Sequence, residues 1–144
     1  MRIPVLPFCA LAAFAASTTN AQPRVFINTF DFDFSINRPG EPIMDAVVEP
    51  GTTVIWVLWD DFHNTVACVG QAEYWDSPVM STIDAYEYVF TVPGVYNYYC
   101  APHGSDNGDG TATGMTGTVT VLPAPSATVA LAMAAVAGCR RRRA

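Results

Sequence analysis

The stretch Tyr98–Gly117, YYCAPHGSDNGDGTATGMTG, places Cys100, His103 and Met115 in one polar, glycine-rich run. The chain has two histidines, and the other is His63, in WDDFHNTVACV. A thiolate and a thioether are soft donors that suit Cu(I), whereas imidazole suits both copper oxidation states. Two imidazoles and a thiolate in a trigonal set, with a weak axial thioether, are the donors of a blue-copper site. Such a geometry changes little when one electron is gained or lost. The four side chains are far apart in sequence, so the fold must bring them together.

Other chemistries compete for the same residues. Cys68 and Cys100 would by default form a disulfide in an oxidising compartment. Zinc on His63, Cys68, Cys100 and His103 is a second alternative. His63 and Cys68 are five residues apart, so in a regular strand they point to opposite faces, and zinc leaves Met115 without a role. The run DNGDG has half the pattern of a calcium loop, but the full Asp-x-Asp-x-Asp-Gly spacing is not met. Asp60-Asp61 reads as a turn with surface charge. No nucleophile, base and oxyanion set is visible, so no enzyme is expected.

The elements that must position these residues are strands. Pro and Gly punctuate the chain at short intervals. Between them, RVFINTFDFDF (24–34), AVV (46–48), TVIWVLW (53–59), NTVACV (64–69), AYEYVFTV (85–92), VYNYYC (95–100) and TGTVTVL (116–122) have strand composition. TVIWVLW is nearly all apolar and reads as a central strand. Trp56, Phe90, Tyr96 and Tyr98 are expected in the core, and Tyr99 on the opposite face from Tyr98. Only 72–84 has room for a turn of helix. The pattern predicts an all-β, antiparallel Greek-key sandwich of about seven to eight strands. In a sandwich the loops gather at the two ends, where His63 can meet Cys100, His103 and Met115.

The sequence resembles the plastocyanin, pseudoazurin and halocyanin branch of the cupredoxins over most of residues 24–122. The likeness is carried by EPGTTVIW, FHNTV, WDSPVM, PGVYNYYCAPHG and GMTGTVTV. It implies a type 1 copper ion on His63, Cys100, His103 and Met115. It also implies that Asn64 ties the two ligand loops together and that Pro102 shapes the loop beside His103. One departure stands out: eleven residues, Gly104–Gly114, separate His103 from Met115, a longer span than the relatives have. It either bulges outward or displaces the axial methionine.

Both ends read as removable. Residues 1–21 have one charge, Arg2, then an apolar run and a small-residue site ending at Ala21, as in a secretory signal peptide. Residues 124–144 end in an apolar stretch and Arg140–Arg143. The thirteen residues 127–139, with Thr128 their one polar side chain, make about 20 Å of helix, short of the roughly 30 Å hydrocarbon core. With Pro123-Ala124-Pro125 before it, this tail resembles a PEP-CTERM sorting signal. That resemblance implies exosortase-type processing in the periplasm or envelope of a Gram-negative-type bacterium, with membrane contact only through the tail.

The domain expected between the ends, 22–123, has Arg24 and Arg38 against thirteen acids and no lysine, a net −11. That excludes nucleic acid as a partner. The expectation is an exported electron carrier that docks on a redox protein, such as a cytochrome or oxidase, with a basic face. The alternative is a cupredoxin-like module that binds or stores copper, or serves a structural surface role, without a redox partner.

Overall fold

The computed structural model describes residues 21–124. The leader expected at 1–21 and the tail expected at 124–144 lie outside the described residues, apart from Ala21 and Ala124. Among the described residues, eight strands form two four-stranded sheets. The first sheet contains β1 (Arg24–Phe30), β2 (Asp33–Ser35), β4 (Thr52–Leu58) and β6 (Ala85–Phe90), in the order β2-β1-β4-β6. The second contains β3 (Ala46–Val48), β5 (Val66–Ala67), β7 (Gly94–Asp106) and β8 (Ala112–Val121), in the order β3-β8-β7-β5. Among the described residues there is no helix, so none is long and apolar enough to cross a membrane.

The sandwich is as expected, but its sheets are mixed rather than purely antiparallel. β1 pairs with β4 in parallel and β3 with β8 in parallel, while the other four pairings are antiparallel. The path of the chain explains this. It leaves the first sheet after β2, adds β3 to the second, and returns at β4. Parallel neighbours need such a long crossover.

Two strands end differently from the expectation. The alternation of 24–34 is broken at Asp31, whose φ of 50° lies in the left-handed region. The segment becomes a hairpin of β1 and β2, with Phe30 opposite Asp33. After β4, regular pairing resumes only at Val66, and 72–84 forms no helix. That segment runs beside the 63–66 stretch, with Met80 bridged to His63 and Asp76 to Val66.

β4 is buried at six of its seven positions, as a central apolar strand should be. Trp56 faces Trp75 and Tyr98, both at 5.5 Å between ring centroids, and Phe90 lies 5.1 Å from Trp75. All four expected core aromatics are fully buried. Trp75 joins them and donates its indole N–H to Thr65 Oγ1 at 2.9 Å. β5 is only two residues long, and a backbone hydrogen bond contributes about 1 kcal/mol net. Burying one large side chain contributes roughly 1.5–3 kcal/mol. Trp75, whose carbonyl accepts from Ala67 N–H at 2.9 Å, is therefore the larger anchor for this edge.

Candidate metal centre

β7 and β8 pair in two stretches, Gly94–Tyr99 with Thr116–Val121 and Gly104–Asp106 with Ala112–Gly114. Between them, Cys100, Ala101, Pro102 and His103 stand opposite the single residue Met115. Four residues against one is more than an ordinary bulge, and the longer strand must arch. Cys100 opens the arch and His103 closes it. Glycines allow the strands to touch beyond it. A Cβ on Gly104 would lie 2.6 Å from the Thr113 carbonyl oxygen, and one on Gly114 would collide with the His103 carbonyl oxygen.

The long 104–114 span, expected as a loop, is thus a hairpin that continues both strands. Asn107 N–H closes its tip on the Thr111 carbonyl at 3.0 Å. Asn97 Nδ2 donates to the Gly110 carbonyl at 2.8 Å, and Val69 N–H to Asp106 Oδ2 at 2.7 Å. Asn97 alternates with the core residues Tyr96 and Tyr98, so the tip folds back over the outer face of the second sheet. The carboxylates of Asp106 and Asp109 serve these turns, accepting from Gly108 N–H and from the Thr111 N–H and hydroxyl. Met115 stays opposite the arch, 2% exposed, in the same buried cluster as Cys100.

His63 reaches this arch from the loop after β4. Its backbone is clamped by Met80, whose N–H donates to the His63 carbonyl at 2.8 Å, while Phe62 N–H donates to the Met80 carbonyl at 3.1 Å. Asn64 Oδ1 accepts from Ala101 N–H at 2.7 Å, and Asn64 Nδ2 lies 3.4 Å from the Ser77 carbonyl. Asn64 therefore joins the two loops. Pro102 is exposed within the arch.

Three donor atoms converge. Cys100 Sγ lies 3.6 Å from His63 Nδ1 and 3.4 Å from His103 Nδ1, and the two Nδ1 atoms are 3.2 Å apart. A point equidistant from all three sits about 2.0 Å from each, given these edges. Imidazole and thiolate bonds to a first-row divalent metal are about 2.0–2.3 Å long. The triangle therefore fits one metal ion. Among the described residues, these three form the one such His, Cys, Asp or Glu group.

The electrostatics agree. Burial pushes the His63 pKa below its usual value, with Asp60 opposing and His103 adding to the fall. A neutral ring presents a lone pair. Burial pushes the Cys100 thiol up, opposed by the backbone N–H groups of Asn64 and His103. A bound cation would deprotonate such a thiol. Cys68 is elsewhere: it is fully buried, free like Cys100, and pushed up to about 11 by burial and by Asp106 and Asp109.

Three contributors escaped the sequence reading. Asp60 Oδ1 lies 3.0 Å from His63 Nε2. Phe32 packs edge-on against the His103 ring, with centroids 4.9 Å apart. Met80 clamps the His63 backbone. Nothing but tertiary proximity marks them.

The two-sheet sandwich with this arch at one end is the cupredoxin fold. No family model matches the chain. The chain is similar to amicyanin of Paracoccus denitrificans, with 28% identity over 112 residues, 68% of this chain and 85% of that protein. Among solved structures, a reduced Cu(I) form of an amicyanin variant at pH 4 matches with a TM-score of 0.51 and 24% identity. The match covers 72% of this chain and 86% of the other. An oxidised amicyanin variant matches with a TM-score of 0.51 and 22% identity, over 67% and 80% of the two chains.

Proposed function

We propose that this chain is an electron carrier, not an enzyme, with one copper ion on His63, Cys100 and His103 and Met115 as a weak axial donor. The observation that carries this reading is the triangle of two Nδ1 atoms and one Sγ with edges of 3.2–3.6 Å. The similarity to amicyanin supports it. Bound there, copper supplies a Cu(I)/Cu(II) couple that this donor set accommodates in one geometry. The chain's own residues make that geometry rigid. Asn64 ties the loops, Met80 clamps His63, and the arch fixes the separation of Cys100 from His103. His103 is half-buried and is the ligand nearest solvent. The test is a visible and EPR spectrum of the copper-loaded protein. An intense thiolate-to-copper band is expected, and a colourless Cu(II) protein would overturn the reading.

Met115→Leu should still bind copper and should raise the reduction potential. The thioether donates some charge to Cu(II), so its loss favours Cu(I). Protein-film voltammetry measures the shift, and an unchanged potential would remove Met115 from the axial position.

The proposed setting is outside the cytoplasm, in the periplasm or envelope, after processing of the leader (1–21) and of the exosortase-type tail (124–144). The partner is a redox protein, such as a cytochrome, with a basic docking face. Phe32, Phe62 and Ile83 are exposed in the loops at the metal end, and Asp31, Asp33, Asp61 and Asp84 lie among them. Opposite charge steers such partners together. At 0.15 M salt the Debye length is about 8 Å, so only short-range attraction survives. The association rate with a basic cytochrome should fall steeply as salt rises. Asp33→Asn, beside Phe32, should flatten that slope in stopped-flow measurements. A rate indifferent to salt would point instead to docking through the apolar side chains alone.

A further inference from the structure

One carboxylate is connected to both imidazoles. Asp60 Oδ1 lies 3.0 Å from His63 Nε2 and, though buried, has no other hydrogen-bond partner. Asp60 Oδ2 accepts from Asp31 N–H at 2.7 Å. Asp31 holds the left-handed φ of 50° that breaks β1 from β2, and the next residue is Phe32. The Phe32 side chain is 65% exposed, yet its ring meets the His103 ring at 4.9 Å and 89°. The two histidine rings are 4.7 Å apart, which closes the circuit.

A left-handed non-glycine residue is unfavourable, and a large apolar side chain at a turn tip does nothing for the core. Both features make sense if the turn has a task outside the core. We infer that the Asp31-Phe32 turn, anchored by Asp60, is a strap that fixes the orientation of the His103 ring relative to His63. Asp60 and Phe32 are positioning residues. This rests on the proposed roles of His63 and His103 as ligands, but the strap itself is a property of the chain and acts with or without a metal. His103 needs such support because it closes an arch at the surface, whereas His63 is buried and clamped on its backbone. The β1–β2 turn is itself held to the 59–61 loop by Trp59, whose N–H donates to the Thr29 carbonyl at 2.9 Å and whose indole donates to Asn28 Oδ1 at 2.8 Å. The strap thus spans three loops.

The test is NMR of the full chain, metal-free and Cu(I)-loaded, reading the ring-current shift of the His103 ring protons. Phe32→Ala removes the shift directly. Asp60→Ala removes both acceptor oxygens, keeps the Phe32 side chain and does not touch His103, yet it should collapse most of the same shift, and Phe32→Tyr should preserve it. Should Asp60→Ala fail to fold, Asp60→Glu makes the same comparison, because it displaces both oxygens. In the Cu(I) protein, loss of copper to excess bicinchoninate should quicken about fivefold in Phe32→Ala, in line with the usual strength of an edge-to-face pair. Asp60→Ala should match it, and the double variant should be no faster than either. A His103 shift unchanged by Asp60→Ala, or fully additive copper-loss rates, would overturn the strap. A collapsed shift in a protein that never turns blue would overturn the copper reading and leave the strap standing.

Discussion

Cys100→Ser should abolish the intense visible absorption of the copper-loaded protein and leave the sandwich folded. The absorption comes from charge moving from thiolate to copper, and a serine oxygen cannot supply it. The exchange changes one atom at a fully buried position. Burying a hydroxyl costs about 1–3 kcal/mol if it finds no partner. Here it lies between two imidazole nitrogens, His63 Nδ1 and His103 Nδ1, either of which can accept its proton. The fold should therefore lose little stability, and far-UV circular dichroism with urea denaturation would show this. Cys68→Ala is the control. Its thiol is free, buried away from the three donors, and pushed up to about 11, so it is protonated at neutral pH. Colour should survive in Cys68→Ala, with roughly the cost of a small cavity. Blue colour in Cys100→Ser, or bleaching in Cys68→Ala, would mean that the sulfur ligand has been misassigned.

How much of this was legible in the sequence depended on how rare the residue type is. Two histidines and a Cys-x-x-His step in a short, acidic domain leave few combinations, so His63, Cys100 and His103 could be read before any fold was known. The strand alternation was equally plain, and it placed Tyr96 and Tyr98 correctly in the core. What failed to show was anything set by tertiary proximity. FDFDF alternates perfectly, so nothing announced that Asp31 would take a left-handed φ and turn Phe32 onto His103. Asp60 looks like any turn carboxylate until His63 Nε2 is found beside it. The parallel pairing of β1 with β4 follows from the path of the chain between the sheets, which no local pattern encodes. The 104–114 span read as a loop because its glycines and aspartates are turn formers. They do form a turn, but only at the tip, and the flanking Gly104 and Gly114 pair.

Gly114→Ala should destabilise the protein more than other glycine substitutions in this hairpin and should disturb the metal site through the His103 backbone. Two costs add at this position. The φ of 85° is left-handed, and the added Cβ would collide with the His103 carbonyl oxygen and lie 2.7 Å from the Gly104 Cα. The first cost alone is about 1 kcal/mol, and overpacking adds roughly 1–3 kcal/mol. Two other glycines separate the terms. Gly108, at the tip, has a φ of 80° with nothing within 4 Å of an added Cβ. Gly108→Ala should show only the conformational cost of about 1 kcal/mol and an unaltered copper spectrum. Gly117 has no left-handed φ, but its Cβ would strike the Tyr98 hydroxyl and lie 2.5 Å from Cζ. That ring cannot swing aside, being packed between Phe34 at 4.8 Å and Trp56 at 5.5 Å. Gly117→Ala should therefore lose stability through the core, with a smaller change at the metal. Of these three glycines, only Gly114 pushes on the backbone of a proposed ligand, so of the three only Gly114→Ala should both destabilise the protein by about 2–4 kcal/mol and alter the copper hyperfine splitting. If its stability loss and EPR spectrum match those of Gly108→Ala, the two strands are not pressed together beyond the arch, and the arch is not what sets the distance between Cys100 and His103.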